Sequence, residues 1–129
     1  MIELLVVLII IGVLTMLNTY GFGKTSEKNK AKQAETNLRV IYSAQQRYFL
    51  DKGEYYACAD PCDNDDITTD LGVDINDDYF NYSIITTNSP VASFNATAAR
   101  LSPSQGCDGE IITISSFGGQ VEKGCLGIW

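Results

Sequence analysis

The chain divides by its pattern of apolar and polar positions. From Leu4 to Leu17 it reads LLVVLIIIGVLTML, fourteen residues with no charge and with only Gly12 and Thr15 among large apolar side chains. Such a stretch predicts a helix that is apolar on every side. It falls short of the about 20 residues of a continuous bilayer span, although Met1, Ile2 and Asn18 to Phe22 extend it. The next segment, NTYGFGKT from Asn18 to Thr25, breaks the pattern. Gly21 and Gly23 each weaken a helix by about 1 kcal/mol relative to Ala, which predicts a hinge within Met16 to Lys24; the alternative is a continuous helix with two tolerated glycines. From Ser26 to Leu50, Ala31, Ala34, Leu38, Ile41, Gln45 and Tyr48 recur at steps of three and four, the spacing of one helix face. Asp51-Lys52-Gly53 ends that helix. Helix throughout residues 1–50 would make a rod of about 75 Å.

Period-two signals follow a loop-rich, Asp- and Asn-dense segment from Gly53 to Asp78, in which Thr69 to Val73 suggests a helical turn. Tyr79 to Thr87 alternates Phe80, Tyr82 and Ile84; Val91 to Leu101 follows an Asn-Ser-Pro turn; Glu110 to Ser116 is β-branched and precedes Gly118-Gly119. These predict a three-stranded antiparallel meander, extended by Gln120 to Cys125, with the helix stripe over one face. The fold class is α+β: a long N-terminal helix on a small antiparallel sheet. Residues 1–23 form the apolar helix and hinge, and residues 24–129 the head with the amphipathic half of the helix.

Charge sharpens this division. The formal net charge is -7, and a nucleic-acid binder needs a basic surface for phosphate contacts. From Lys24 to Arg47 there are six Lys or Arg against two Glu, whereas from Asp51 to Asp78 there are ten Asp or Glu against one Lys. One chain carries a basic rod and an acidic patch. In a monomer both can be ordinary solvated surfaces; in a polymer they attract neighbouring copies.

Glu3 is the odd residue of the apolar helix, because a carboxylate beside it is costly unless it meets a cation or a proton. The segment contains no partner, so the physical reading is intermolecular: a neighbour's α-amino group neutralises Glu3 while apolar helices pack side by side. A signal peptide is the plainer alternative, but no basic n-region or small-residue cleavage site is present.

MIELLVVLIIIGVLTML resembles the N-terminal motif of type IV pilins and type II secretion pseudopilins, whose mature chains begin Phe-Thr-Leu-Ile-Glu-Leu and continue through an apolar helix with a glycine. Ile2, Glu3, Leu4 and Leu5 match, Met1 replaces the Leu, and Gly12 takes the glycine position. The resemblance covers about the first 17 residues. It implies a ladle-like pilin fold, a mature subunit lacking its first two residues, removal of a leader by a prepilin peptidase in the inner membrane, N-methylation, and a helical homo-oligomer built by a pilus assembly machinery. Glu3 would then be the assembly glutamate, with Leu4, Leu5, Val6, Val7, Leu8, Ile9, Ile10, Ile11, Val13 and Leu14 in the filament core.

Four cysteines permit three pairings. Cys107 with Cys125 would close a C-terminal strand and turn at about 3 kcal/mol, and Cys58 with Cys62 would clip a loop containing Pro61. A zinc site is the rival, but Cys107 and Cys125 are not a second close pair. Asp63, Asp65, Asp74 and Asp77 are candidate calcium ligands, although neither acidic run follows the EF-hand pattern, and a solvated acidic loop is the simpler reading. Tyr42, Tyr48 and Phe49 fit packing on a stem without any role in electron conduction. Asn81-Tyr-Ser and Asn95-Ala-Thr match the N-glycosylation pattern but fall inside predicted strands. With no His and no Gly-rich phosphate loop, the chain is expected to be neither an enzyme nor a cofactor binder. The expected role is a pilus subunit on the cell surface; a periplasmic pseudopilus subunit and a membrane-anchored domain that never polymerises are the alternatives.

Overall fold

A computed structural model of the protein describes residues 1–18, 22–58, 62–88, 91–101, 110–125 and 129. The elements run α1 (Ile2–Asn18), α2 (Phe22–Lys52), α3 (Asn64–Leu71), β1 (Phe80–Thr87), β2 (Ser93–Arg100), β3 (Ile111–Ser115) and β4 (Val121–Lys123). The strands form one antiparallel sheet in the order β1-β2-β3-β4, the meander expected from the alternation. The architecture is α+β, with α2 laid across one face of the sheet.

The core lies between the α2 stripe and the inward residues of the strands. Ala31, Ala34, Leu38 and Ile41 from α2 meet Phe80, Tyr82, Ile84, Phe94, Ala96, Ala98, Ile112 and Ile114. The alanines of β2 leave room for the larger side chains of the helix and of strands β1 and β3. Aromatic rings close the end of the core near the α2 C-terminus: Phe49 stacks on Tyr55 at 4.6 Å, Tyr55 lies 4.9 Å from Phe94, and Phe94 lies 5.7 Å from Tyr42.

Gln45 sits in the same stripe and is fully buried. Its amide donates to the Tyr56 carbonyl at 2.8 Å and accepts from the Tyr56 N–H at 2.9 Å. The side chain thereby satisfies a loop backbone that folds against the helix. Gly53, at φ 80°, turns the chain out of α2.

The helix in the acidic segment is longer and earlier than the turn expected at Thr69 to Val73. Asp63 caps α3: its side chain accepts from the Asp66 N–H at 2.9 Å, and the Asp66 side chain accepts from the Asp63 N–H at 3.4 Å. This capping box starts the helix, Ile67 and Leu71 anchor it four residues apart in the core, and Gly72 ends it in the left-handed region at φ 64°.

The outer edge of β1 is occupied by side chains and loop. Asn64 donates to the Phe80 carbonyl at 3.2 Å and accepts from the Tyr82 N–H at 3.1 Å, and the Cys58 N–H donates to the Ile84 carbonyl at 3.2 Å. The Cys58–Cys62 disulfide, with a Cα–Cα distance of 5.5 Å, holds that loop in place. Cys125 is buried and disulfide-bonded; the expected closure with Cys107 lies outside the described residues.

Candidate assembly surface

α1 differs from every other element in having no covered side. Its large apolar side chains are open all round, from 48% for Val6 to 68% for Leu4 across the ten expected filament-core positions. Leu4, Leu5, Val6, Val7, Leu8, Ile9, Ile10, Ile11, Val13 and Leu14 therefore form one continuous cylinder of hydrocarbon. An apolar surface of this extent is far outside what a monomeric protein leaves in water. Thr15, the one hydroxyl within it, turns back on its own helix and donates to the Ile11 and Gly12 carbonyls at 2.7 and 3.0 Å, so its hydroxyl does not obstruct the surface.

Two residues of α1 stand apart from its aliphatic run. Glu3 lies in the first turn and is exposed, a position its negative charge favours at a helix N-terminus; among the described residues it makes no ion pair. At Gly12, an added Cβ would meet nothing within 4 Å. Among the described residues, no packing contact requires a glycine there. Among the described residues no helix is long and apolar enough to cross a membrane; the 17 residues of α1 measure about 26 Å. Of the expected hinge, Gly23 lies within α2, and Gly21 lies outside the described residues.

Below α1, α2 is joined to the sheet by a buried ion pair between residues far apart in sequence. Arg100 donates to Glu27 at 3.1 Å, with 3% and 8% of the two side chains exposed, and to the Tyr79 carbonyl at 2.9 Å. Lys30 reaches the same Glu27 oxygen at 3.0 Å and lies 4.4 Å over the Tyr79 ring. Removing Glu27 would leave the buried Arg100 charge without this counter-ion, whereas removing Arg100 would leave Glu27 with the more exposed Lys30. A second buried network surrounds Asp77, which accepts from the Tyr79 and Phe80 N–H groups at 2.9 and 3.2 Å and from the Tyr82 hydroxyl at 2.5 Å. Asn37 of α2 donates to both Asp77 and Tyr82. Burial, and then the bond to Asp77, push the Tyr82 hydroxyl above the ordinary phenol range.

The acidic candidates for calcium are not gathered into one site. Asp63 is engaged as a helix cap, Asp77 as a backbone and hydroxyl acceptor, and Asp65 and Asp74 are exposed. Among the described residues no group of three or more His, Cys, Asp or Glu is arranged to hold a metal ion. Asn81 and Asn95 lie within β1 and β2, where the Asn81 side chain donates to the Cys62 carbonyl at 3.2 Å.

Glu27 and Arg100 escaped the reading of the sequence, and Asp77, read there as a calcium candidate, is instead a buried acceptor. Glu27 stands one helical turn before Ala31 in the buried stripe, and Arg100 has the inward parity of Phe94, Ala96 and Ala98, so periodicity carried a signal for both. No spacing rule joins residues 27 and 100.

The chain is 38% identical over 55 residues, 43% of its length, to the type IV major pilin protein PilA of Myxococcus xanthus (strain DK1622). The match spans 25% of that relative's length. No family model matches the chain, and no solved structure matches it. The shared residues, together with a long N-terminal helix on a small antiparallel sheet with a Cys58–Cys62 disulfide, support a type IV pilin-like relationship.

Proposed function

We propose that the chain is a structural subunit that polymerises through α1 into a type IV pilus-like filament at the cell surface. The observation that carries this reading is the apolar cylinder of α1, which its own head does not cover. At about 25 cal/mol per Å², leaving such a surface in water is costly, so lipid or other copies must cover it. Before assembly the same helix holds the subunit in the inner membrane, and polymerisation exchanges lipid contacts for helix contacts.

Glu3 sets the register by pairing with the free amino group of a neighbour, since a carboxylate among packed apolar helices needs a counter-charge. A prepilin peptidase would expose that amino group. Gly12 leaves a neighbouring helix room for close approach, and Gly21 and Gly23 form a hinge that lets the stem extend under load. The head is the outer surface, where adhesion, motility or DNA uptake would be served, and no catalytic role is assigned to it. A subunit of a periplasmic pseudopilus would use the same helix. The likeness to a major pilin favours the pilus.

Cryo-electron microscopy of material sheared from cells that express the chain with a complete assembly system tests this. The expected result is a helical fibre whose map fits the chain, with Glu3 inside the apolar core, and loss of fibres in Glu3→Ala with unchanged head folding. A subunit that stays wholly in the inner-membrane fraction under those conditions would overturn the reading.

A further inference from the structure

The two charged surfaces of the head are not matched to each other within the subunit. On α2, Lys24, Lys28 and Lys32 recur at i, i+4 and i+8 and are exposed. At 100° per residue they lie on one strip of the helix, which Arg39 continues. Like charges at this spacing repel, and among the described residues Lys24, Lys28 and Lys32 form no ion pair, whereas the Arg39 end of the strip is held by Glu35. The second surface is the segment from Asp63 to Asp78, where Asp63, Asp65, Asp66, Asp70, Asp74 and Asp78 are exposed. No Lys or Arg occurs between Lys52 and Arg100, so this surface holds no cation of its own.

Folding does not bring the two together. Among the described residues every ion pair uses Glu27 or Glu35 as its acid: Lys30 and Arg100 meet Glu27, and Arg39 and Lys123 meet Glu35. None reaches residues 63–78. Asp63 and Asp66 are committed to the capping box and Asp70 accepts from the Tyr56 hydroxyl at 2.7 Å, whereas Asp65, Asp74 and Asp78 point their charge to solvent. The strip and the patch are complementary in sign and share no ion pair among the described residues, although Gln33 and Asn37 on another face of α2 bond to Asn76 and Asp77; this is the arrangement of a heterologous head-to-tail contact rather than a self-complementary one.

We propose that the lysine strip at the start of α2 docks against the acidic 63–78 surface of a second copy of this chain. The inference rests on the filament reading above. Copies held together through α1 and staggered along a common axis bring the start of one α2 beside another copy's head. The apolar helices supply the driving force there, and the charges select the stagger.

Three full-length variants expressed with the assembly system test the contact: K24E/K28E/K32E, D65K/D74K/D78K, and the two combined. Each triple variant is expected to lower the yield of sheared filaments by at least about tenfold, because the contact becomes like-charged. The combined variant is expected to recover most of that yield. The neutral D65N/D74N/D78N variant, which keeps side-chain size, is expected to give a smaller loss and filaments whose stability depends less on salt. Emission of Trp129, the sequence's single tryptophan, checks that each head is folded.

Wild-type filament yields in both triple variants would overturn the proposal. So would losses that the combined variant does not repair, which would mean that the lysines and the acids act separately, the lysines for example on anionic lipid headgroups. If the charge variants assemble normally while Glu3→Ala does not, this contact alone is wrong. If the unsubstituted chain forms no filament, both readings fall.

Discussion

α1 and α2 are consecutive helices with opposite relations to the head. α2 has one buried stripe, from Ala31 to Gln45, and a charged face toward solvent; α1 is apolar on every side and covered on none. An amphipathic helix completes a fold from within one chain, whereas a helix of uniform hydrocarbon has its packing partners elsewhere. A leucine in α2 therefore serves stability, a leucine in α1 is open to serve association as proposed, and the two can be separated by experiment.

The strongest way to break this division is at the junction of α2 and the sheet. Arg100→Ala removes the more buried of the two cations on Glu27, Lys30 remaining, and is expected to cost about 3 kcal/mol, the lower end for a broken buried pair, read as a lower denaturation midpoint of the full chain in mild detergent. Trp129 emission reports it, since that ring packs 5.6 Å from Phe80 in the core. A loss below 1 kcal/mol would show that the pair is solvated.

Next in size is a matched pair of truncations. Leu38→Ala, at a fully buried position, is expected to lower head stability by about 3 kcal/mol. Leu8→Ala, at a position 67% exposed, is expected to leave the same midpoint unchanged. Equal losses would mean that α1 belongs to the folding unit of the head.

The smallest effect concerns the solvent side of α2. Hydrogen bonds from Lys123 first and Arg39 second hold the Glu35 carboxyl below the ordinary glutamate value of 4.5. A depressed folded-state value contributes stability that is full above 4.5 and is lost as pH falls through the lower folded value. Glu35→Gln is accordingly expected to cost about 0.5 kcal/mol at neutral pH. The gap from the parent should persist down to pH 4.5 and close only below it; a gap unchanged in acid would assign the loss to packing.

Much of the fold was legible because it is periodic. The α2 stripe, the three main strands and the short fourth one follow from spacings of 3.6 and 2, and the Cys58–Cys62 clip follows from a short loop. α3 was displaced in the reading because its start depends on a reciprocal bond between Asp63 and Asp66, in a segment whose many acids looked like solvated loop. The buried polar groups were hidden for another reason. Gln45 was placed correctly in the stripe, but its partner is a backbone amide eleven residues on, and Arg100 meets Glu27 across 73 residues. Such pairings depend on tertiary approach and leave no local pattern. On α1 the apolar stretch and Glu3 were plain in the sequence, while the identity of their partners lies beyond a single chain.

The junctions between α2 and the rest of the head also describe a mechanical part. The helix is fastened near one end by Glu27 to Arg100 and near the other by Gln45 to the Tyr56 backbone. These rivets stand eighteen residues apart, about 27 Å along the axis. In the proposed filament, a pull along α2 from its N-terminal end would first meet the ionic rivet and then the amide one, with the alanine and leucine stripe sharing the shear between them. Force is thus spread along the length of the helix instead of peeling the sheet away strand by strand.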